Sequence, residues 1–349
     1  MAELDILVTT YNCADELDEC LASLAVQKYG DFNVLVVDNA SEDDTEDVVA
    51  AWASRDRRIA YHRQPENIGY TDSVNLAYKM TSSDYVLQLH GDDILLPNFL
   101  NEVLVSGLKA HPECPFGYSL FSRYIDDLPT GDVHQFLPDL PTGAHPMLGY
   151  LCFTNWIIQS FAVFRRAAFD RVGAFDRHIA RFRPSDIATL RAGYVDHYMW
   201  ARLATLGPAW VVNQRLGYYR THEASGSGGF RQRGFYIQEA IRTYDFIFDD
   251  HDLFDDVHRY LAKVNQIGRL LTDNGLVRSA LDMLGSSETG PELAPFAHRF
   301  LQTLLDTLRT MIFDSATLRD RIVIERPENL DTLAALIRER YPADEGTPA

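Results

Sequence analysis

The sequence predicts an α/β fold in which a mostly parallel sheet is flanked by helices and followed by a helical appendage. Three observations carry this reading. Hydrophobic runs alternate with helix-period stretches through roughly the first hundred residues, polar residues cluster just after the apolar runs, and the periodicity turns wholly helical beyond about residue 234. Leu4 to Thr10 reads as a strand, Glu16 to Gln27 as a helix and Asn33 to Asp38 as a second strand. Asp44 to Ala53 follows as a helix, Arg58 to Arg63 as an extended run, Thr71 to Met80 as a helix and Asp84 to Leu89 as a fourth strand. Such repetition makes parallel neighbours with helices on both faces. From Phe116 to about Arg220 the pattern is mixed. Short extended runs (Phe116 to Ser122, Ile157 to Phe164, Ala209 to Val212) surround one clear helix, Tyr194 to Leu206, and Pro and Gly between Leu128 and Gly149 mark a long loop. Beyond it, Val257, Tyr260, Leu261 and Val264 share one helical face, as do Phe296, Phe300, Leu304 and Leu308. The expected organisation is an α/β domain over 1–230 with halves 1–115 and 116–230, a helical domain over 231–341 and a tail over 342–349.

Composition narrows the function. With 349 residues, 46% of them hydrophobic and 23% charged, the chain is ordinary for a water-soluble protein with a sizeable core. Its net charge of -18 repels polyanions, which argues against nucleic acid as a partner. The opening residues show neither the basic region nor the apolar run of a signal peptide, and the chain is read as cytoplasmic. The longest apolar stretch, Met147 to Phe164, is interrupted by Thr154, Asn155, Gln159 and Ser160, which disfavours a transmembrane segment and favours a buried core segment. Four cysteines without Cys-x-x-Cys spacing fit reduced, buried thiols.

In doubly wound sheets, ligands gather beyond the carboxyl ends of the strands. Those ends are polar here: Thr9-Thr10-Tyr11-Asn12, Asp38-Asn39-Ala40-Ser41, Asn67-Ile68-Gly69-Tyr70 and His90-Gly91-Asp92-Asp93. No Gly-x-Gly-x-x-Gly turn follows the first strand, so a dinucleotide cradle is disfavoured. Adjacent carboxylates at Asp92 and Asp93 repel each other unless a cation or hydrogen-bond donors intervene. A divalent cation, Mn²⁺ or Mg²⁺, with phosphate and water completing its shell is the economical partner. The alternative for Asp93 is a helix cap before Ile94-Leu95-Leu96-Pro97.

Taken in order, Thr10-Tyr11-Asn12, Asp38-Asn39 with Ser41, Asn67-x-Gly69-Tyr70 with Asn75, and the Asp-Asp turn resemble the family 2 glycosyltransferases. The likeness continues through Phe164-Arg165-Arg166, Val172-Gly173-Ala174-Phe175-Asp176, Asp196 and Tyr219-Arg220-Thr221-His222, and covers roughly residues 4 to 225. It implies the glycosyltransferase A fold, with a Rossmann-like sheet, and an inverting reaction. The resemblance assigns Thr10, Tyr11, Asn12, Asp38, Asn39, Asn67, Gly69, Asn75 and Asp92 to the nucleotide. Tyr11 would stack on the base and Asp38 would accept from its imide, with Asn39 standing where many members have a second Asp. Asp92, Asp93 and His222 would hold the metal. His90, in the first position of the family's Asp-x-Asp, and Arg220 would add contacts to phosphate or metal. Asp196 matches the general base that takes the acceptor proton, with Asp186 as the runner-up.

The expected reaction moves a sugar from a UDP- or dTDP-type nucleotide-diphosphate sugar to a hydroxyl of a saccharide or lipid-linked acceptor, at the cytoplasmic side or the inner face of a membrane. This would serve surface polysaccharide or glycoconjugate synthesis. A nucleotidyltransferase acting on a sugar phosphate, or a non-catalytic nucleotide-sugar-binding protein, are the competing readings. Seven Arg against three Asp between Arg165 and Arg191 give a local balance of +4 that would attract a diphosphate. The Gly/Ser run from Ala224 to Gly229 is a candidate flap over it. The acidic cluster from Asp249 to His258 reads as a solvated helix start. The apolar faces of the appendage could pair two chains as a homodimer.

Overall fold

The computed structural model describes residues 2–125, 128–129, 140–151, 155, 157–173 and 195–221. All lie in the first of two units into which the chain divides, Met1–Tyr236 and Ile237–Ala349. His222, Asp186, most of the arginine-rich stretch, the Gly/Ser run, the acidic cluster and the appendage fall outside the described residues.

The first half follows the predicted order: β1 (Leu4–Thr10), α1 (Ala14–Ala25), β2 (Phe32–Asp38), α2 (Thr45–Arg55), β3 (Ile59–Arg63), α3 (Tyr70–Lys79) and β4 (Tyr85–His90). Alternation places successive side chains on opposite faces of the sheet. Leu4, Ile6 and Val8 of β1 pack with Leu17, Leu21 and Leu24 of α1 and Val49 of α2, while Leu7 packs with Val74 and Ala77 of α3. Both faces of the sheet are therefore covered.

β5 (Ile94–Leu95), a helix Asn101–Lys109, β6 (Phe116–Ile125), β7 (Leu128–Pro129) and β8 (Gly143–His145) follow. After them come β9 (Ala162–Arg165), a helix Arg166–Val172, a helix Val195–Ala204 and the long β10 (Ala209–Thr221). The sheet runs β3-β2-β1-β4-β9-β6-β10-β5, with β7 on β6 and β8 on β10. β3, β2, β1 and β4 are mutually parallel, β9 is antiparallel to β4 and β6, and β10 is parallel to β6. The sheet is thus mixed where alternation alone suggested parallel pairing.

Several expectations need correction. Ile157 to Phe164 is not one strand: a 3-10 turn at Gln159–Phe161 precedes β9. The residues after Asp93 form β5, which pairs with Gly217 and Tyr218 of β10, so Asp93 caps no helix. The helices Asn101–Lys109 and Arg166–Val172 were not anticipated from periodicity. Arg165 and Arg166, the described members of the arginine-rich stretch apart from Arg171, are tied to the start of β4 and the segment before it. Arg165 pairs with Tyr85 at the start of β4, a strand's length from His90, and its guanidinium meets the Cys114 carbonyl at 2.9 Å and the Tyr85 hydroxyl at 3.0 Å. Arg166 donates to the Ser83 carbonyl and lies 3.5 Å from Asp5. Among the described residues, no helix is long and apolar enough to cross a membrane.

Candidate functional site

Strand register brings the predicted residues to one edge of the sheet. Thr10 pairs with Asp38 and Thr9 with His90, so the tips of β2, β1 and β4 end level. Left-handed backbone gathers beyond them, at Asn12 (φ 48°), Ala40 (φ 66°) and Gly69 (φ 83°). Residues held in this region cost energy that the surroundings must offset, and they concentrate at functional sites. Gly91 has a different constraint: a Cβ there would lie 3.1 Å from the Thr10 side chain and 3.2 Å from the Thr9 carbonyl, so a larger residue would push the tip of β4 away from β1.

Hydrogen bonds knit the first three loops together. Asp38, 1% exposed, takes the Ser41 N–H (2.9 Å) and hydroxyl (2.6 Å) on one oxygen and the Tyr61 hydroxyl (2.7 Å) on the other. In this structure its carboxylate therefore builds the β2 turn. Ser41 does not start α2; its hydroxyl accepts the Asn12 N–H at 2.9 Å, and the Asn12 side chain accepts the Glu42 N–H at 2.8 Å. Asn39 donates to Asn67 at 2.7 Å and accepts the Ile68 N–H at 2.9 Å, tying β2 to the loop before α3. Tyr11 is 47% exposed beside this frame, with a ring face open to a planar ligand. The buried amide of Asn75 has no hydrogen-bond partner for either its nitrogen or its oxygen among the described residues, leaving a polar group whose burial is uncompensated.

The tip of β4 is denser. Asp93 is fully buried. One oxygen accepts the Arg220 N–H at 3.0 Å; the other accepts the Ser160 hydroxyl and lies 3.4 Å from His90 Nδ1. The other ring nitrogen of His90, Nε2, is 2.9 Å from the Tyr70 hydroxyl, which also reaches Gln88 at 2.9 Å and Gln159. Burial alone would pull the His90 imidazolium down. The hydrogen bond and charge of Asp93, with the charges of Asp92 and Asp196, outweigh it and hold His90 up at about 9. Burial pushes the Asp93 carboxyl above the ordinary carboxylate range, while His90 and Ser160 pull against it. Arg220, expected at phosphate or metal, is 7% exposed and works inside the frame. Its Nε donates to the Asp92 carbonyl at 3.0 Å, its Nη2 pairs with Glu19 at 2.5 Å, and the guanidinium sits 4.8 Å from the Tyr124 ring centre.

Asp196 lies in the first turn of the helix Val195–Ala204. One carboxylate oxygen accepts the His197 N–H at 2.8 Å, and the other accepts the Asn155 side-chain amide at 2.9 Å. Burial pushes this carboxyl up to about 6, with His197, Asn155 and the His90 charge acting in the opposite direction. Tyr70 is raised first by burial and next by the charge of Asp196. Asp196 is therefore electrostatically coupled to the His90 and Tyr70 side chains at the β4 tip.

His90, Asp92 and Asp93 offer ligand atoms within 4.8 Å of one another. One imidazole and two carboxylates suit a divalent ion of borderline character, Mn²⁺ more than Mg²⁺. Both His90 nitrogens and both Asp93 oxygens have partners in the chain. Tyr70, Gln88, Asn155, Gln159 and Ser160 were not singled out as site residues from sequence. Three of them are polar interruptions of the Met147 to Phe164 apolar stretch, and that was the available signal.

Comparison with known proteins agrees with this architecture. Residues 5–173 match the family described as glycosyl transferase family 2. A PGL/p-HBAD biosynthesis glycosyltransferase of Mycobacterium tuberculosis is 27% identical over 172 residues, 49% of this chain and 62% of that protein. An uncharacterised glycosyltransferase of Haemophilus influenzae is 25% identical over 101 residues, 29% of this chain and 31% of that one, so the match spans less than two thirds of either relative. Among solved structures, S. aureus TarS 1-349 in complex with UDP-GlcNAc superposes with a TM-score of 0.59 at 16% identity, covering 99% of this chain and 98% of that one. The mannosyltransferase PcManGT from Pyrobaculum calidifontis, in complex with GDP-Man and Mn²⁺, gives 0.53 at 17% identity, covering 96% and 86%. The fold is that of the glycosyltransferase A enzymes, and residues 5–173 carry the match to glycosyl transferase family 2.

Proposed function

We propose that this protein is an inverting glycosyltransferase that moves a sugar from a UDP- or dTDP-type nucleotide sugar to a hydroxyl of a saccharide or lipid-linked acceptor at the cytoplasmic side of a membrane. The observation that carries the reading is that one segment joins Asp196, through Asn155, to Asp93 and His90, through Ser160, so that the charges of His90 and Asp196 act on each other. The base takes the proton of the acceptor hydroxyl that attacks the anomeric carbon, and the group stabilising the departing diphosphate lies on the opposite face of that carbon, which requires one shared site. A carboxyl poised at about 6 is largely ionised at neutral pH yet still basic enough to take a hydroxyl proton as the bond to the anomeric carbon forms.

Tyr11 offers the base-stacking face, Thr10 and Asn12 line the β1 turn, and the Asn39–Asn67 pair holds Gly69 and the start of α3 against it. The unpartnered amide of Asn75 is a further candidate for a polar donor contact. Asp92 would be the principal ligand of Mn²⁺ or Mg²⁺, with His90 and Asp93 behind it. When bound, the ion would supply positive charge to the departing diphosphate. Solved neighbours crystallised with UDP-GlcNAc or with GDP-Man and Mn²⁺ favour this donor class, and curated relatives named for PGL/p-HBAD and teichoic acid synthesis favour a glycoconjugate acceptor. The test is a panel of UDP-, dTDP- and GDP-sugars assayed for Mn²⁺-dependent thermal stabilisation and nucleotide release. Stabilisation and release with a UDP- or dTDP-sugar support the proposal, and no response across the panel sinks it.

A further inference from the structure

We infer that Asn155 is a positioning residue for the Asp196 carboxylate, and that Asn155, Gln159 and Ser160 strap the helix carrying the base to the tip of β4. The inference rests on reading Asp196 as the base. The Asn155 amide is fixed at both ends: its Nδ2 donates to Asp196 at 2.9 Å, and its Oδ1 accepts the Ile157 N–H at 3.1 Å. Turning the amide over would break both bonds, so its donor end stays on the carboxylate. Ile157 in turn accepts the indole N–H of the fully buried Trp200 at 2.9 Å, one helical turn beyond Asp196. Helix and strap are thus joined at two points.

The far end of the strap grips the other half of the site. The Ser160 hydroxyl bonds to Asp93 and accepts the His90 N–H at 3.1 Å, and Gln159 meets the Tyr70 hydroxyl. Three of the polar residues that interrupt an otherwise apolar stretch, Asn155, Gln159 and Ser160, therefore connect the base to the β4 tip. Their chemistry suits the task. Burial favours the neutral acid, and a donor held on the carboxylate favours the ionised form a base needs. The titratable groups coupled to Asp196 from other elements are His90 on β4 and Tyr70 on α3, and Asp92 and Asp93 bear on both. None of these is a neutral donor bonded to the carboxylate; Asn155 is.

The test is a double-mutant cycle read by thermal unfolding of the full chain at pH 5 and pH 8, with no substrate present: wild type, Asn155→Ala, Asp196→Asn and the double variant. Asp196 binds its proton more tightly in the folded chain than in the unfolded one, so its contribution to stability is greatest at low pH and falls as pH rises through about 6. Losing the Asn155 donor raises that pKa further. Asn155→Ala should therefore lose about 3 °C more of melting temperature at pH 8 than at pH 5, and the difference should vanish in the Asp196→Asn background. A loss that is equal at both pH values, or a difference that persists without the carboxylate, overturns the inference and leaves Asn155 a structural residue. If Asn155→Ala does not fold, Asn155→Ser is carried through the same cycle. A wild-type chain that turns over no nucleotide sugar would defeat the transferase reading without touching this result. In a Mn²⁺-dependent assay with a UDP-sugar, the same variant should lower kcat and move the acid limb upward with donor KM unchanged.

Discussion

His90 Nε2 lies 2.9 Å from the Tyr70 hydroxyl while His90 Nδ1 lies 3.4 Å from Asp93, so one imidazole spans from a buried carboxylate to the start of α3. Where the family's Asp-x-Asp pattern has a carboxylate, this chain has a ring with both nitrogens engaged. The first position of the motif is thereby a brace between Asp93 and Tyr70.

Removing the carboxylate behind that brace should be costly. Asp93→Ala leaves the buried Arg220 N–H and Ser160 hydroxyl, and the partly buried His90 imidazolium, without their acceptor. The expected loss is about 3 kcal/mol or more, in line with breaking one side of a buried ion pair. Urea unfolding at pH 7 measures it, and a loss under about 1 kcal/mol would mean that Asp93 is not the anchor described.

Tyr70→Phe keeps the ring and deletes one oxygen. Gln88, Gln159 and His90 each lose a contact, so stability should fall by about 1–3 kcal/mol. A melting curve indistinguishable from wild type would contradict the central placement of this hydroxyl.

Much of this frame was readable in the sequence, and the reason is geometric. Period-two and helical patterns set β1 to β4 within a residue or two, and level register then forces Thr10, Asp38 and His90 to one edge. What escaped depends on contacts between residues distant in sequence. Periodicity cannot reveal that Asp38 spends its oxygens on Ser41 and Tyr61, or that Arg220 is tied to Glu19 some two hundred positions away. Nor can a local excess of arginine say that Arg165 and Arg166 lie at the far end of β4. Asn155 was visible only as an anomaly, a polar residue that a buried segment had to satisfy somehow.

Packing beside the site gives a further test. Gly217 on β10 faces Phe161 closely enough that a Cβ would sit 2.2 Å from the ring and 2.9 Å from the Ile94 carbonyl. Gly217→Ala must push β5 off β10, or Phe161 out of its stack with Phe121. The expected destabilisation is about 1–3 kcal/mol by chemical denaturation. A neutral substitution would show that the β5–β10 contact is looser than described.

The proposed base role of Asp196 fixes the acid side of the rate profile. Its carboxyl, pushed up to about 6, must be ionised to accept a proton, so transfer should rise as pH increases through that value and level off above it. A rate constant across pH 5 to 8 would place the functional base elsewhere.

Metal-dependent binding and proton removal should separate cleanly between Asp92 and Asp196. The decisive measurement is nucleotide release from a UDP- or dTDP-sugar with Mn²⁺, alongside calorimetric binding of the same donor, in wild type, Asp92→Ala and Asp196→Asn. The account predicts that Asp92→Ala loses Mn²⁺-dependent donor binding, whereas Asp196→Asn binds donor as wild type does and transfers about 10²–10⁴-fold more slowly. Transfer at the wild-type rate by Asp196→Asn would contradict it.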